Sequence, residues 1–531
     1  MKKLDNKKQL PYYEKHSSEF TRRQFLYNSG MTSVASYLAL ANLPQIFASN
    51  AYAQSTNGQN LAYVSLDCMG GINLAGNVIM GRDSSGTQYE TGALDSYLYM
   101  GLTADLHPKR SGMVDKSFGL EFHKTSGILI GMKQVLDGKT VVVNGTPVLV
   151  SDMVDGLVMA YRSTDDTSEN PLNTSIPAVR AGANGKLANL IGNQASSNGG
   201  NSITDPFVFD PVLRPPKIEN SRDAKNLSSL GAFMNQNGNR SQYTSFMNTI
   251  ANASRKRLEM ISQSRLPANA RANIERSMST MTKAGPFFDT FTPAVLDPMQ
   301  TDAADLNKVF PDVFYPPRQF QSNLSRDLDT IGTMSYLLLH DNLVGSVMLA
   351  VGGGDYHDGT AMTGVLKDLE LGRYIGEIIY YAALKERNVV IDLYTDGSAI
   401  CDPTGVMDES MLGQGRVIHV SDSPVQSGSI MLSYRHGKTR VQQPIIKKDL
   451  ANNSLRQVGH FLPGKGGGVA LTANSMANDI TMVWKIKMLN YIAMMENTTD
   501  LKLVTDKFEA IFGRGLLAAD AASMIRFNYL G

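Results

Sequence analysis

Cysteine is nearly absent from this chain. Two residues, Cys68 and Cys401, stand among 531, which excludes a disulfide-built scaffold and a cysteine-rich zinc site and leaves stability to packing. Both fall beyond expected strands, so a single bridge and two separate thiols remain alternatives. Charge of one sign is also lacking, with 50 basic against 49 acidic residues, and nothing suggests a nucleic-acid or membrane-surface partner. Two catalytic signatures are missing. Gly464-Lys465-Gly466-Gly467-Gly468 lacks the spacing of a phosphate loop, and no Gly-x-Ser-x-Gly elbow precedes a helix.

Long apolar runs are missing too. The stretch from Met31 to Leu43 is diluted by Ser33, Ser36 and Asn42 and falls short of the roughly 20 residues of a membrane span. Ahead of it stands Thr21-Arg22-Arg23-Gln24-Phe25-Leu26, and after it Ala51-Tyr52-Ala53 before Gln54. Paired arginines, a weakly apolar core and a small-x-small cleavage box occur in the order of an export signal. The segment resembles signals of the twin-arginine pathway, which implies export of a folded protein to the periplasm or beyond. The expectation is a signal over 1–53 read by the twin-arginine machinery, with no membrane span after cleavage. Removing its seven basic and three acidic residues leaves 43 against 46, a net charge of −3.

The remaining 54–531 reads as a single α/β domain with a mostly parallel central sheet. Leu61 to Leu66 is a buried strand ending at Asp67-Cys68-Met69-Gly70-Gly71. Phe122 to Leu136 reads as a helix leading into a β-branched strand, Thr140 to Val143. Leu343 to Val351, Met362 to Arg387 and Val389 to Tyr394 form a βαβ unit. Ser429 to Ser433 is a further strand, and Met482 to Phe512 a helical tail. A helical insertion is expected at about 215–300, where apolar residues recur at threes and fours.

In parallel sheets the ligand-bearing loops lie beyond the carboxyl ends of the strands. Three such ends carry donors: Asp67, then Asp355 and His357 after Gly352-Gly353-Gly354, then Asp396. Residues two apart in extended chain project to one side, so Asp355 and His357 can face one ion. Mixed carboxylate and imidazole donors suit Zn²⁺, Mg²⁺ or Mn²⁺. Ser398 is a candidate nucleophile by location, Arg435 or Arg440 a candidate cation for a leaving oxygen, and His123 and His460 are further candidate ligands. For each, a bland role competes: turn capping for the aspartates and Ser398, local hydrogen bonding for the histidines.

The Arg22-Arg23 leader, Gly70-Gly71 after the first strand, Phe122-His123, Gly138 before Val141-Val142-Val143, and Gly353-Gly354-Asp355-Tyr356-His357 occur together. The combination resembles a group of twin-arginine-exported bacterial proteins of unassigned function, distantly similar to the alkaline phosphatase and sulfatase superfamily. The resemblance implies an alkaline-phosphatase-like sandwich holding divalent ions at strand ends, with Asp67, Asp355, His357 and Asp396 as matching positions, and hydrolysis of a small anionic ester. The chain departs from the family pattern in two places. Tyr394-Thr395-Asp396-Gly397-Ser398 stands where relatives carry a Ser-Glu-Phe-Gly-Arg-like segment, and the region from Ser427 to His436 holds no Asp-His pair. These departures motivate the alternative, a non-catalytic exported binding or envelope-assembly protein.

Overall fold

The computed structural model describes residues 61–68, 70–79, 94–162, 173–194, 196, 199–200, 215–227, 252, 256, 294–311, 324–354, 356–395, 397–423, 427–440, 456–459 and 480–527. The export signal and most of the expected helical insertion lie outside them.

Seven strands form one sheet: β1 (Leu61–Cys68), β2 (Val154–Tyr161), β3 (Ala188–Gly192), β4 (Val344–Val351), β5 (Asn388–Thr395), β6 (Ser427–Tyr434) and β7 (Gln457–Val458). Their spatial order is β7-β2-β6-β5-β1-β4-β3. Every neighbouring pair is parallel except those made by β6, which runs against both β5 and β2. β1 sits between β4 and β5 and is buried along all of its length, as a founding strand of a doubly covered sheet must be.

Alternation along the strands divides the core in two. Ala62, Val64 and Leu66 face a layer of three helices, α1 (Gly127–Leu136), α2 (Leu324–Leu339) and α3 (Met362–Leu384). Leu61 and Tyr63 face the other layer, α4 (Ile480–Glu496) and α5 (Leu501–Phe512). The protein is thus an α/β/α sandwich with a mostly parallel sheet.

Two glycine pairs let α1 and α3 touch backbone to backbone. A Cβ on Gly131 would lie 2.1 Å from the Leu369 carbonyl oxygen, and one on Gly372 2.1 Å from that of Ile128. Ser126 starts α1 by accepting from the Leu129 N–H at 3.1 Å, a side-chain N-cap. α4 is apolar on all sides because it is enclosed: the sheet lies on one side, α5 and the C-terminal segment on the other. Asn490 locks that segment, accepting from the N–H groups of Arg526 and Phe527 at 2.6 and 3.1 Å.

Three expectations are corrected. Phe122–His123 is a two-residue strand, and the helix starts only at Gly127. Thr140–Val143 pairs with Thr146–Leu149 as an outer hairpin with alternating exposure, and the sheet strand is the next one, β2. The helical tail is two helices, broken between Glu496 and Leu501, with Asp500 capping the second.

Candidate functional site

The carboxyl ends of β1, β4 and β5 lie side by side, Cys68 level with Val351 and Thr395. Gly70 and Gly71 follow β1 with φ of 91° and 86°, conformations that favour glycine. Gly71 must also be bare, since a Cβ there would meet the Ser398 backbone nitrogen at 3.0 Å. Thr395 Oγ1 accepts from the Ile72 N–H at 3.2 Å and ties the loop after β1 to the end of β5.

Asp67 was expected just past its strand. β1 continues through it, so the pleat aims Asp67 at the α4 layer, on the same side as Ser65 and Tyr63. On the neighbouring strand Asp392 faces the same way, level with Ser65, while Asp67 is level with Tyr394. Asp392 is wholly buried and fully engaged. Lys487 Nζ from α4 stands 2.8 Å from its Oδ1 and 3.0 Å from its Oδ2. Thr174 Oγ1 donates to Oδ2 at 2.6 Å, the Tyr63 hydroxyl to Oδ2 at 3.1 Å, and Ser429 Oγ to Oδ1 at 3.1 Å. Ser65 Oγ lies 3.1 Å from Thr174 Oγ1, and the Tyr394 ring covers the ammonium at 4.2 Å.

Burial pulls the Lys487 pKa down, opposed by Asp392 in contact and by Asp67 nearby. Desolvation raises Tyr63 well above the usual phenol range, so it stays a donor. An ion pair with no exposed surface holds only when hydrogen bonds satisfy its remaining atoms; the three hydroxyl donors on Asp392 do so.

A second polar cluster occupies the α3 side, under the loop after β1. Asp368 accepts from Asn77 Nδ2 at 2.7 Å and from the Tyr356 hydroxyl at 3.3 Å. That hydroxyl in turn accepts the Asn73 N–H at 2.5 Å. Burial lifts the Asp368 pKa to about 6. His419, edge-on to Tyr356 at 4.9 Å, is pushed down to about 4 by burial and by Arg416. Tyr356 therefore pins the glycine-rich loop in which His357 stands.

Of the expected site residues the structure describes Asp67, His357, Ser398 and Arg435. His357 is 38% exposed, with Nε2 3.6 Å from Asp422 Oδ1. Asp355, Asp396 and His460 lie outside the described residues. Ser398 is buried among loop backbone, its carbonyl accepting the Ser423 N–H at 2.6 Å and its hydroxyl 3.5 Å from the Ala399 carbonyl. Arg435 follows Tyr434, which is level with Val389 at the start of β5, so it sits at the opposite end of the sheet from Ser398. Six residues of strand separate the two ends, about 20 Å. Arg440 binds the Ser117 carbonyl at 2.6 Å and Asp152 at 3.3 Å. His123 is buried, with Nδ1 2.8 Å from Thr125 Oγ1 and Nε2 2.7 Å from the Leu106 carbonyl. Cys68 and Cys401 are both buried thiols with no bridge between them.

Among the described residues no three His, Cys, Asp or Glu side chains gather as a metal-ligand set. Asp67 and Asp392 share a face, yet an ammonium holds both oxygens of Asp392. That donor set does not fit a divalent ion at this point. Thr174, Asp392 and Lys487 escaped sequence reading, although a signal was available: a lone acid inside an apolar strand, and two lysines, Lys485 and Lys487, inside an otherwise apolar helix. No family model, no curated protein and no solved structure matches this chain.

Proposed function

We propose that this chain is an exported, non-catalytic binding or envelope-assembly protein built on an alkaline-phosphatase-like or sulfatase-like sandwich. One observation carries the reading. On the face of the sheet that Asp67 shares, three residues before the end of β5, Asp392 is neutralised by Lys487 of the same chain at 2.8 and 3.0 Å. A carboxylate so engaged has no lone pair directed at a substrate-activating ion. The test is hydrolysis of chromogenic phosphate and sulfate esters with added Zn²⁺, Mn²⁺ or Mg²⁺. No turnover above background is expected, and robust turnover that dies with Asp355→Ala would defeat the proposal.

The second reading is metal-dependent hydrolysis of an anionic ester. It draws on the donors expected beyond the strand ends, Asp67, Asp355, His357 and Asp396. Asp355→Ala with His357→Ala separates the two readings: it should abolish any true turnover and leave a contaminant's untouched. Export rests on the arginine pair. Arg22→Lys with Arg23→Lys is expected to retain the protein in the cytoplasm, which cell fractionation reports. No helix of the described residues is long and apolar enough to cross a membrane.

A further inference from the structure

We infer that this chain binds a second copy of itself head to tail: an exposed apolar finger at the carboxyl end of the sheet docks on the exposed apolar face of the outer hairpin at the amino end. The inference rests on the binding or assembly reading above and names the partner. Large apolar side chains left exposed among the described residues gather in two places. Val406, Met407, Met411, Leu412 and Val420 stand in the excursion after β5, and Val142 and Leu149 on the outer hairpin, while Leu366 and Leu503 lie apart. Exposed apolar groups concentrated in this way mark contact surfaces.

The finger is held in place. The Asp408 N–H donates to the Arg416 carbonyl at 2.8 Å and the Ile418 N–H to that of Val406 at 3.0 Å, which closes an antiparallel loop around Met411, 89% exposed. Asp408 Oδ2 accepts from the N–H groups of Ala361 and Met362 at 2.9 and 3.0 Å and so fastens the loop to the start of α3. At its base Arg416 is buried and donates to the Gly76 carbonyl at 2.8 Å. A knob that is already ordered loses little entropy on docking.

The hairpin offers the counterpart. Val142 lies opposite Pro147 and Thr140 opposite Leu149, and all four are exposed, Val142 by 63%. Val141, Val143 and Val148 pack inward against the core. Gly437 fixes the hairpin's place, since a Cβ there would lie 3.5 Å from Val143 Cγ1. It follows Tyr434, which is level with Val389 at the start of β5. The finger and the hairpin therefore stand at opposite ends of the sheet and cannot meet within one molecule.

Charge selects the occupant. Residues 402–422 carry four acids, Asp402, Asp408, Glu409 and Asp422, and a single cation, the buried Arg416. That acidic border disfavours both an anionic membrane surface and a second finger. From Lys139 to Leu149 there is a lysine and no acid, and Lys438 follows Gly437 beside Val143. The hairpin thus accepts the finger without like-charge repulsion. Contact between unlike patches at opposite ends propagates as a ring or a filament instead of closing as a two-fold pair.

The test is sedimentation of the mature chain beginning at Gln54 at about 100 μM, where a contact of micromolar affinity is almost saturated. Wild type should run as species larger than a dimer. Met411→Glu and Val142→Glu should each run as a monomer, and an equal mixture of the two should give a dimer and nothing larger, because one intact finger and one intact hairpin remain. Both positions are exposed, so the melting midpoints should stay unchanged; if either variant does not fold, Leu412→Glu or Leu149→Glu takes its place. A monomeric wild type overturns the inference, whether or not it binds phospholipid vesicles. So does a mixture that stays monomeric while wild type associates, the signature of like-with-like contact, and so does a variant that associates as wild type does. Turnover of chromogenic esters by wild type would instead defeat the non-catalytic reading alone and leave these masses unchanged.

Discussion

The two faces of the sheet bury acids by opposite means. On the α4 face Asp392 meets a lysine in direct contact. On the α3 face Asp368 meets only neutral donors, Asn77 and Tyr356, with Arg416 acting at longer range, and burial lifts its pKa to about 6. The first arrangement fixes charge and geometry together. The second leaves an acid that gains a proton just below neutral pH. A buried carboxylate is therefore no marker of metal binding unless its partners are known.

The sharpest way to break this contrast is to unpair the α4 face. Lys487→Met leaves Asp392 among hydroxyls with no countercharge and should cost about 3–5 kcal/mol, the usual effect of removing one member of a buried pair. Urea unfolding in EDTA measures it. Lys487→Met with Asp392→Asn should recover most of the loss, and a double variant as unstable as the single one would show that the pair is not the source. Next in size is a packing change on the α3 face. Gly131→Ala forces a Cβ onto the Leu369 carbonyl at 2.1 Å, so α1 must move off α3 at a cost of about 1–3 kcal/mol. An unchanged unfolding midpoint would refute that contact.

Much of the frame was legible in the sequence, and the reason is apolar continuity. β1, β4, β5, β6 and α3 are runs or periodic stretches of aliphatic residues, and Gly70-Gly71 marks a turn that requires positive φ. β2 was hidden because Asp155 and Gly156 interrupt it near its start, and β7 is two residues long. Asp155 belongs in the strand because Arg456 meets it at 3.0 Å, a partner 301 residues away that no local pattern reveals. The site was less legible for the same reason. Asp67 was found because it closes a strand. Asp392 and Lys487 sit inside elements that read as pure core, and each makes sense only beside the other.

Titration sharpens the comparison further. A carboxyl whose folded pKa lies above its ordinary value near 3.8 contributes stability that is fully present below about pH 4 and is lost as pH rises through about 6. Asp368→Asn removes that loss, so the variant should be more stable than wild type by about 3 kcal/mol at pH 7, with the difference vanishing towards pH 4. His419 and His123, both pushed to about 4, act with the opposite sign in both proteins: their contribution is present above pH 6.5 and lost as pH falls through 4. The difference between variant and wild type cancels them. A difference that stays flat from pH 4 to 7 would mean that Asp368 is already charged across that range.

The smallest effect comes from the helix caps, one on each face. Asp500 accepts from the N–H groups of Lys502 and Leu503 at 2.9 and 3.1 Å at the exposed start of α5. Ser126 accepts from Leu129 and also donates to Asn77 Oδ1 at 2.7 Å, and Asn77 is the group that holds Asp368. Alanine at Asp500 removes a cap that water can replace, so about 0.5–1 kcal/mol is expected. Alanine at Ser126 removes a cap and leaves Asn77 Oδ1 with only the long contact from the Ile128 N–H at 3.4 Å in a dry site, which places it nearer 2 kcal/mol, by about the worth of one buried hydrogen bond. Because Asn77 steadies Asp368, Ser126→Ala should also shift the pH dependence of stability between pH 4 and 7, whereas Asp500→Ala should not. Equal losses with parallel pH profiles would detach Ser126 from the cluster and leave it a cap like any other.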